Sequence, residues 1–138
     1  MIVLDTNVIS EPFKPVPNPK VIALVGGLPN SELYTTAVTR GELLFGAYCL
    51  PDGQRKNDLL SKMRVLFVQG LADHVLPYDS AAAEAQAAFA AMRRTQGRRV
   101  QLADAMIAGI ALSRGARLAT RNTRDFEGCG IALIDPWQ

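Results

Sequence analysis

Ile2-Val3-Leu4-Asp5-Thr6-Asn7 opens the chain, with Val8-Ile9-Ser10-Glu11 directly behind it. Three apolar residues that end in a carboxylate, a hydroxyl and an amide read as a short strand buried on both faces, running into a brief turn of helix over Thr6 to Glu11. Pro12, Pro15, Pro17 and Pro19 then break regular structure and imply a rigid loop. The same alternation continues outward. Lys20 to Leu28 is expected to form a short apolar helix stopped by Gly26, Gly27 and Pro29, and Leu33-Tyr34-Thr35-Thr36 a second strand. Ala37 to Leu50 is expected to be helical, with Leu43, Leu44, Ala47 and Tyr48 or Leu50 on one buried stripe. After the turn Pro51-Asp52-Gly53, a more polar helix from about Lys56 to Gly70 carries Leu59, Leu60, Met63, Leu66 and Phe67 at three-and-four spacing. His74-Val75-Leu76-Pro77 is a third short strand, and Asp79 or Ser80 caps an alanine-rich helix, Ala81 to Gln96, that closes at Gly97. Leu102 to Arg114 is apolar nearly all round, closes at Gly115 and should lie against a sheet. Arg117 to Thr120 and Ile131 to Ile134 are the last two strands, separated by a polar turn region from Asn122 to Gly130. Strands alternating with helices over residues 1–138 imply one α/β domain with a parallel sheet covered on both faces.

The composition supports a globular chain: 138 residues, 49% apolar and 20% charged, with 15 basic against 13 acidic residues and a net charge of +2. This excludes a disordered or collagen-like chain and a polycation that coats nucleic acid indiscriminately. His74 is the only histidine, which excludes paired-histidine nuclease chemistry and any multi-histidine metal cage. Its place at the start of a strand, away from the candidate site, suits a structural role. Cys49 and Cys129 lie 80 positions apart with no metal or redox spacing, and are expected to be buried thiols in a reducing compartment. The N-terminus has no basic segment ahead of its apolar residues and so does not read as a signal peptide. The longest run of apolar residues and glycine, Ala105 to Leu112, is far below the roughly 20 residues of a membrane span. A soluble, cytoplasmic protein is expected.

Ligands of an open parallel sheet bind beyond the carboxyl ends of its strands. That rule selects four of the acids. Asp5 follows the first strand, Glu42 lies early in the helix after the second, Asp104 lies in the first turn of the buried helix, and Asp125 lies in the loop after the fourth strand. Each also has a purely structural reading. Asp5 can cap the Thr6 helix, Glu42 can complete a Thr39-x-x-Glu42 capping box, Asp104 favours a helix N-terminus, and Asp125 suits a turn. Together they are harder to explain in that way, because carboxylates gathered at one rim repel each other unless a cation is present. An all-oxygen donor set suits Mg²⁺ or Mn²⁺, whereas zinc prefers histidine or cysteine. A metal so held can activate water and stabilise charge on phosphorus, which points to phosphodiester hydrolysis.

Four stretches resemble, in order, the motifs of PIN-domain ribonucleases. They are Ile2 to Glu11, Thr39-Arg40-Gly41-Glu42-Leu43-Leu44-Phe45-Gly46, Leu102-Ala103-Asp104-Ala105-Met106-Ile107-Ala108, and Ala119-Thr120-Arg121-Asn122-Thr123-Arg124-Asp125-Phe126. The likeness is to the VapC toxins of bacterial type II toxin–antitoxin pairs, including the FitB-like branch, and extends to the closing Asp135-Pro136-Trp137. The resemblance implies a PIN-like three-layer sandwich with a five-stranded parallel sheet, a Mg²⁺-dependent endoribonuclease activity on structured or ribosome-associated RNA, and a homodimer. It also implies neutralisation by a small cognate antitoxin, typically a DNA-binding protein whose tail blocks the active site. Contact with DNA would come only through that partner, whose complex represses its own operon. Asp5 and Asp104 match the acids most directly tied to the metal, and Glu42 matches the third. The fourth position is open between Asn122 and Asp125, and with it the choice between one ion and two, because Asn122 carries no negative charge. Thr6, Asn7, Thr120 and Asn122 match groups that orient ligands or water.

Between residues 80 and 117 the bases Arg93, Arg94, Arg98, Arg99, Arg114 and Arg117 face only Glu84 and Asp104, a local net of +4. Arg93 and Arg94 near a helix C-terminus are accounted for by the helix dipole alone. Arg98 and Arg99 lie past the Gly97 cap, just ahead of the Asp104 helix, and suit phosphate contacts. Phe126 and Trp137 read as core or dimer contacts rather than base-stacking platforms. Two other classes remain. In a phosphatase with Asp5 as nucleophile, a second Asp is expected where this chain has Asn7. A non-catalytic module that binds RNA or a partner stays open because Asn122 is not an acid.

Overall fold

The computed structural model describes residues 1–138. The elements run β1 (Ile2–Leu4), α1 (Thr6–Ser10), α2 (Pro19–Gly26), β2 (Leu33–Thr36), α3 (Ala37–Tyr48), α4 (Gln54–Val65), β3 (Val75–Leu76), α5 (Ser80–Thr95), α6 (Leu102–Ser113), β4 (Arg117–Ala119) and β5 (Leu133–Ile134). All five strands are parallel, in the order β3-β2-β1-β4-β5. The opening triplet is therefore the central strand, paired with β2 through Ile2–Leu33 and Val3–Tyr34 and with β4 through Val3–Leu118 and Leu4–Ala119.

Side-chain alternation along these short strands divides the core into two layers. Ile2, Leu4 and Ala119 face a cluster with Val8, Ile9, Val21, Ala47, Met63 and Phe67, drawn from α1 to α4 and the turn that ends α4. Val3 and Leu118 face the opposite cluster, with Phe89, Ile107, Ile110, Ala111 and Phe126, drawn mainly from α5 and α6. A slip of one residue in register would exchange the two faces, so burial on both sides specifies the pairing strongly. The result is the expected three-layer arrangement. No helix is long and apolar enough to cross a membrane.

Several local expectations need correction. The N-cap of α3 is Thr36, in extended conformation, whose Oγ1 accepts the Thr39 amide at 3.0 Å. Strand β2 thus hands over to the helix without a loop, Thr39 lies inside the first turn, and the Thr39–Glu42 capping box does not form. Cys49 is exposed at the end of α3 and only Cys129 is partly buried, so the thiols are not a buried pair. His74 precedes β3 in a 3₁₀ turn; its Nδ1 donates to the Leu33 carbonyl at 2.7 Å and its ring stacks on Tyr34, which is the structural role anticipated. The polar helix ends at Val65, and Leu66–Gly70 widens into a π turn closed by the Leu71 amide on the Leu66 carbonyl. Phe126 is fully buried in the core, and Trp137 packs, partly buried, against the α1–α4 cluster.

Helices α5 and α6 form the tightest contact. α5 starts at Asp79, whose carboxylate accepts the Ala82 amide at 2.9 Å, and the chain leaves α5 and α6 through Gly97 and Gly115 with φ of 70° and 61°. Those left-handed turns are where glycine is favoured. Midway along α6, a Cβ added at Gly109 would lie 2.4 Å from the Ala82 carbonyl oxygen and 2.8 Å from Gln86 Cβ. Because the first obstacle is helix backbone, Gly109→Ala should separate the two helices and lower stability by roughly 1–3 kcal/mol. Urea denaturation should show a lower midpoint at unchanged slope, and an unchanged midpoint would contradict this packing.

Candidate active site

Strand order places a topological switch at β1 and β4: from β1 the chain builds outward through β2 and β3, then returns to add β4 and β5 on the other side. The crevice beyond the carboxyl ends of those two strands is the position where such sheets hold ligands. Asp5 stands at its base. Its amide donates to the Ala119 carbonyl at 2.9 Å, extending the ladder one residue past β1. Its carboxylate accepts the Thr6 amide on Oδ1 at 2.8 Å and the Thr120 hydroxyl on Oδ2 at 2.7 Å. Asp5 is therefore both the N-cap of α1 and a buried acid, 3% exposed. Burial raises its carboxyl pKa; the bonds from Thr120 and Thr6 oppose the rise, and Glu42 and Asp125 add to it. Thr120 also accepts the Asn122 amide at 3.1 Å, so one hydroxyl ties the acid to the loop that follows β4.

A second network fixes Glu42. Its Oε1 accepts the Thr6 hydroxyl at 2.7 Å. Having donated there, Thr6 Oγ1 must accept from Thr39 Oγ1 at 3.0 Å, and Thr39 in turn accepts from Thr36 Oγ1 at 3.3 Å. Thr36 and Thr39 are fully buried, and this directed hydroxyl chain runs from the β2–α3 junction to the carboxylate. Thr6 thus bonds both acids, its amide to Asp5 and its hydroxyl to Glu42. The sequence offered Thr39 only as a capping-box partner of Glu42 and Thr36 only as a strand residue, because Thr6, which joins them to the carboxylate, is remote along the chain.

Asp104 and Asp125 line an open cleft of about 850 Å³ together with Arg99, Val100, Gln101 and Asn122. Asp104 is in the first turn of α6, and Asp125 ends a 3₁₀ turn, Thr123–Asp125. Asp5 and Glu42 do not line this cleft, yet they act on it. Burial, then Asp5, Asp125 and Glu42 in that order, push the Asp104 carboxyl up to about 6. The four predicted acids thus form one electrostatic group. No three of the His, Cys, Asp and Glu side chains are spaced as a finished metal cage. The donor chemistry nevertheless fits a hard divalent cation: the donors are oxygens, their lone pairs are partly oriented by threonines, and their mutual repulsion is relieved by positive charge.

The remaining candidates separate. Arg99 lines the cleft. Arg98 does not line it; one of its guanidinium nitrogens donates to the Arg124 carbonyl at 2.6 Å. Asn7 Oδ1 accepts the Arg121 amide at 3.4 Å, a long contact, while the Arg121 guanidinium covers the Trp137 ring at 5.2 Å. Arg93, read from the sequence as a helix-end charge, is instead 1% exposed and bonded to the Asp125 loop. Its spacing of four from Phe89, on the buried stripe that includes Ala82, was the available signal.

The raised carboxyl pKa values have a defined sign. With Asp104 near 6 in the native state against 3.8 unfolded, the native state binds protons more tightly between those values. Ionised Asp104 therefore lowers stability above about pH 6, and the penalty disappears as pH falls toward 4. Asp104→Asn should raise Tm in chelator at pH 7.5 by roughly 3–6 °C, after discounting for partial exposure. Thermal melts from pH 7.5 to 4 should show that gain shrinking. A gain that does not change with pH would disprove the coupling.

Comparison with known proteins identifies the fold's relatives. The PIN domain family matches residues 2–129. VapC ribonuclease Y4jK of Sinorhizobium fredii is 38% identical over 138 residues, covering 100% of this chain and 99% of its own. Toxin FitB of Neisseria gonorrhoeae is 36% identical over 137 residues, covering 99% of each chain. The crystal structure of FitAcB from Neisseria gonorrhoeae superposes with a TM-score of 0.94 and 36% identity, over 100% of this chain and 99% of that one. The structure of FitAB bound to an IR36 DNA fragment superposes with the same TM-score of 0.94 and 36% identity, over 100% and 96% of the two chains. With the family match spanning residues 2–129 and relatives similar over essentially the whole chain, the chain belongs to the PIN-domain family, in the company of VapC ribonuclease Y4jK and toxin FitB.

Proposed function

We propose that this chain is the toxin of a type II toxin–antitoxin pair, a Mg²⁺-dependent endoribonuclease that hydrolyses RNA with an activated water, Mn²⁺ serving in place of Mg²⁺. The observation that carries the reading is the coupling of Asp5, Glu42, Asp104 and Asp125 at the β1/β4 switch point beside an arginine-lined cleft. The relatives named VapC ribonuclease and toxin FitB support the same activity.

Asp5, Asp104 and Glu42 would hold the ion, and Asp125 or Asn122 would complete the site. When bound, the cation supplies positive charge to the scissile phosphate and lowers the pKa of water. The chain's own residues do the rest. Thr6 and Thr120 hold the two Asp5 oxygens in place, and the Thr36–Thr39–Thr6 hydroxyls hold Glu42 Oε1. Such prearranged ligands reduce the reorganisation needed as charge develops. Asp125, on the wall of the cleft, is available as acceptor for the proton released by the attacking water. Arg99, with the N–H groups of Arg98 that do not bond Arg124, holds the RNA backbone.

The chain acts as a cytoplasmic homodimer, and a small antitoxin inhibits it and supplies the DNA contact, as the likeness to FitAB bound to DNA supports. Chromatographic mass measurement, with and without the partner, tests that assembly.

Purified protein should cleave RNA with Mg²⁺, lose activity in chelator, and lose at least roughly 100-fold in kcat as Asp5→Asn. Because water rather than the ribose 2′-hydroxyl attacks, the products should carry 5′-phosphate and 3′-hydroxyl ends; 2′,3′-cyclic phosphates would refute the mechanism. Separately, Arg98→Ala with Arg99→Ala should weaken RNA binding and reduce the slope of log affinity against log salt by about 1–2. Equal slopes for this variant and the unmodified chain would remove these arginines from the RNA interface.

A further inference from the structure

Arg93 combines two features that rarely occur together. It is among the largest fully buried side chains, 1% exposed, and no carboxylate pairs with it: the ion pairs of this fold are Lys14–Glu11, Lys56–Asp52 and Arg114–Asp79. Burying a guanidinium carries a large desolvation penalty unless its donors are well used. Here Nη2 donates to the Asp125 carbonyl at 3.0 Å and the Glu127 carbonyl at 2.6 Å, and Nη1 donates to Gln96 Oε1 at 3.1 Å, while Nε has no partner. The guanidinium sits 5.4 Å over the Phe89 ring, and that ring stacks on Phe126, the residue between the two captured carbonyls. An apolar side chain would fill this volume without the charge. What the charge adds is a grip on the backbone at both sides of Phe126, in the segment that presents Asp125 to the cleft.

We propose that Arg93 is a positioning residue for the acidic site, holding the 125–127 backbone so that the Asp125 carboxylate faces Asp104. This rests on the nuclease reading above and adds a residue that touches neither substrate nor cation. The α5 helix thereby sets both walls of the cleft. Through Ala82 it seats α6 and hence Asp104, and through Phe89 and Arg93 it seats Asp125.

The test compares Arg93→Gln, Arg93→Lys, Asp125→Asn and the Arg93→Gln/Asp125→Asn double variant by RNA cleavage, and by amide hydrogen exchange of the metal-free protein. Arg93→Gln should lower kcat roughly 10- to 100-fold with little change in KM, since a displacement of about 1 Å at a catalytic group has effects of that size. Arg93→Lys, which retains a cationic donor for the carbonyls, should recover most of the loss. In the Asp125→Asn background the Arg93 substitution should cost nothing further, whereas a general structural defect would multiply the two losses. Exchange should quicken at residues 124–127 in Arg93→Gln and stay unchanged in β1 and α6. The inference is overturned if folded Arg93→Gln keeps its kcat, if the losses multiply, or if exchange in the loop is unaltered. Should Arg93→Gln not fold, Gln96→Ala removes one acceptor of the same guanidinium from an exposed position and should loosen the loop and reduce kcat in the same pattern; unchanged exchange and kcat would overturn the inference equally. Lack of cleavage by the unmodified chain would count against the nuclease reading alone, and loop exchange in Arg93→Gln would still decide for or against the clamp.

Discussion

The pairing of β1 with β4 is the constraint on which the rest depends. Five parallel strands of two to four residues can hold together only if the central one is buried on both faces and hydrogen-bonded on both edges, and Ile2-Val3-Leu4 meets both conditions. The final bond of that ladder, from the Asp5 amide to the Ala119 carbonyl, brings Asp5 beside Thr120 from 115 positions away. The acidic site is a continuation of the sheet. Its central carboxylate is held by backbone pairing before any side chain contributes.

Around that point, the fold sets carboxylates against one another and uses hydroxyls to limit the consequence. Thr120 and Thr6 stabilise the ionised form of Asp5, but burial still dominates, and on Asp104 burial and then the repulsion of Asp5, Asp125 and Glu42 act in the same direction. A site arranged this way lowers the stability of the protein at neutral pH, and the proposed cation would offset that loss. Perturbed carboxyls in a cleft are a common mark of function, because stability alone would favour neutral side chains there. The apolar layer beneath carries the strain: α5 and α6 approach so closely at Gly109 that their relative position, and with it Asp104, has little freedom.

The architecture was legible from the sequence because local rules agree with the global fold. Apolar triplets bounded by polar turns are strands wherever they are buried on both faces. The Gly97 and Gly115 caps and the Asp79 N-cap end their helices for reasons confined to a few neighbouring residues. Where reading failed, two elements competed for the same residues. Thr36 serves as both strand end and helix cap, so the capping role read for Thr39 falls to a residue three positions earlier, α3 starts at Ala37 as expected, and Thr39 is left free to join the hydroxyl chain.

Asp5, Glu42, Asp104 and Asp125, their order, and an all-oxygen donor set in a chain with one histidine were all present in one dimension. Strand ends and helix starts place such groups at one rim under a rule that needs no coordinates. Three matters needed the folded chain: the burial that raises the carboxyl pKa values, the direction of hydrogen bonding from Thr36 to Glu42, and the use of Arg93 on backbone carbonyls 32 and 34 residues away. Each depends on distances between remote segments and on exclusion of water. Residue type and spacing encode neither, because the same arginine at a helix end is equally stable in solvent until a second segment packs over it.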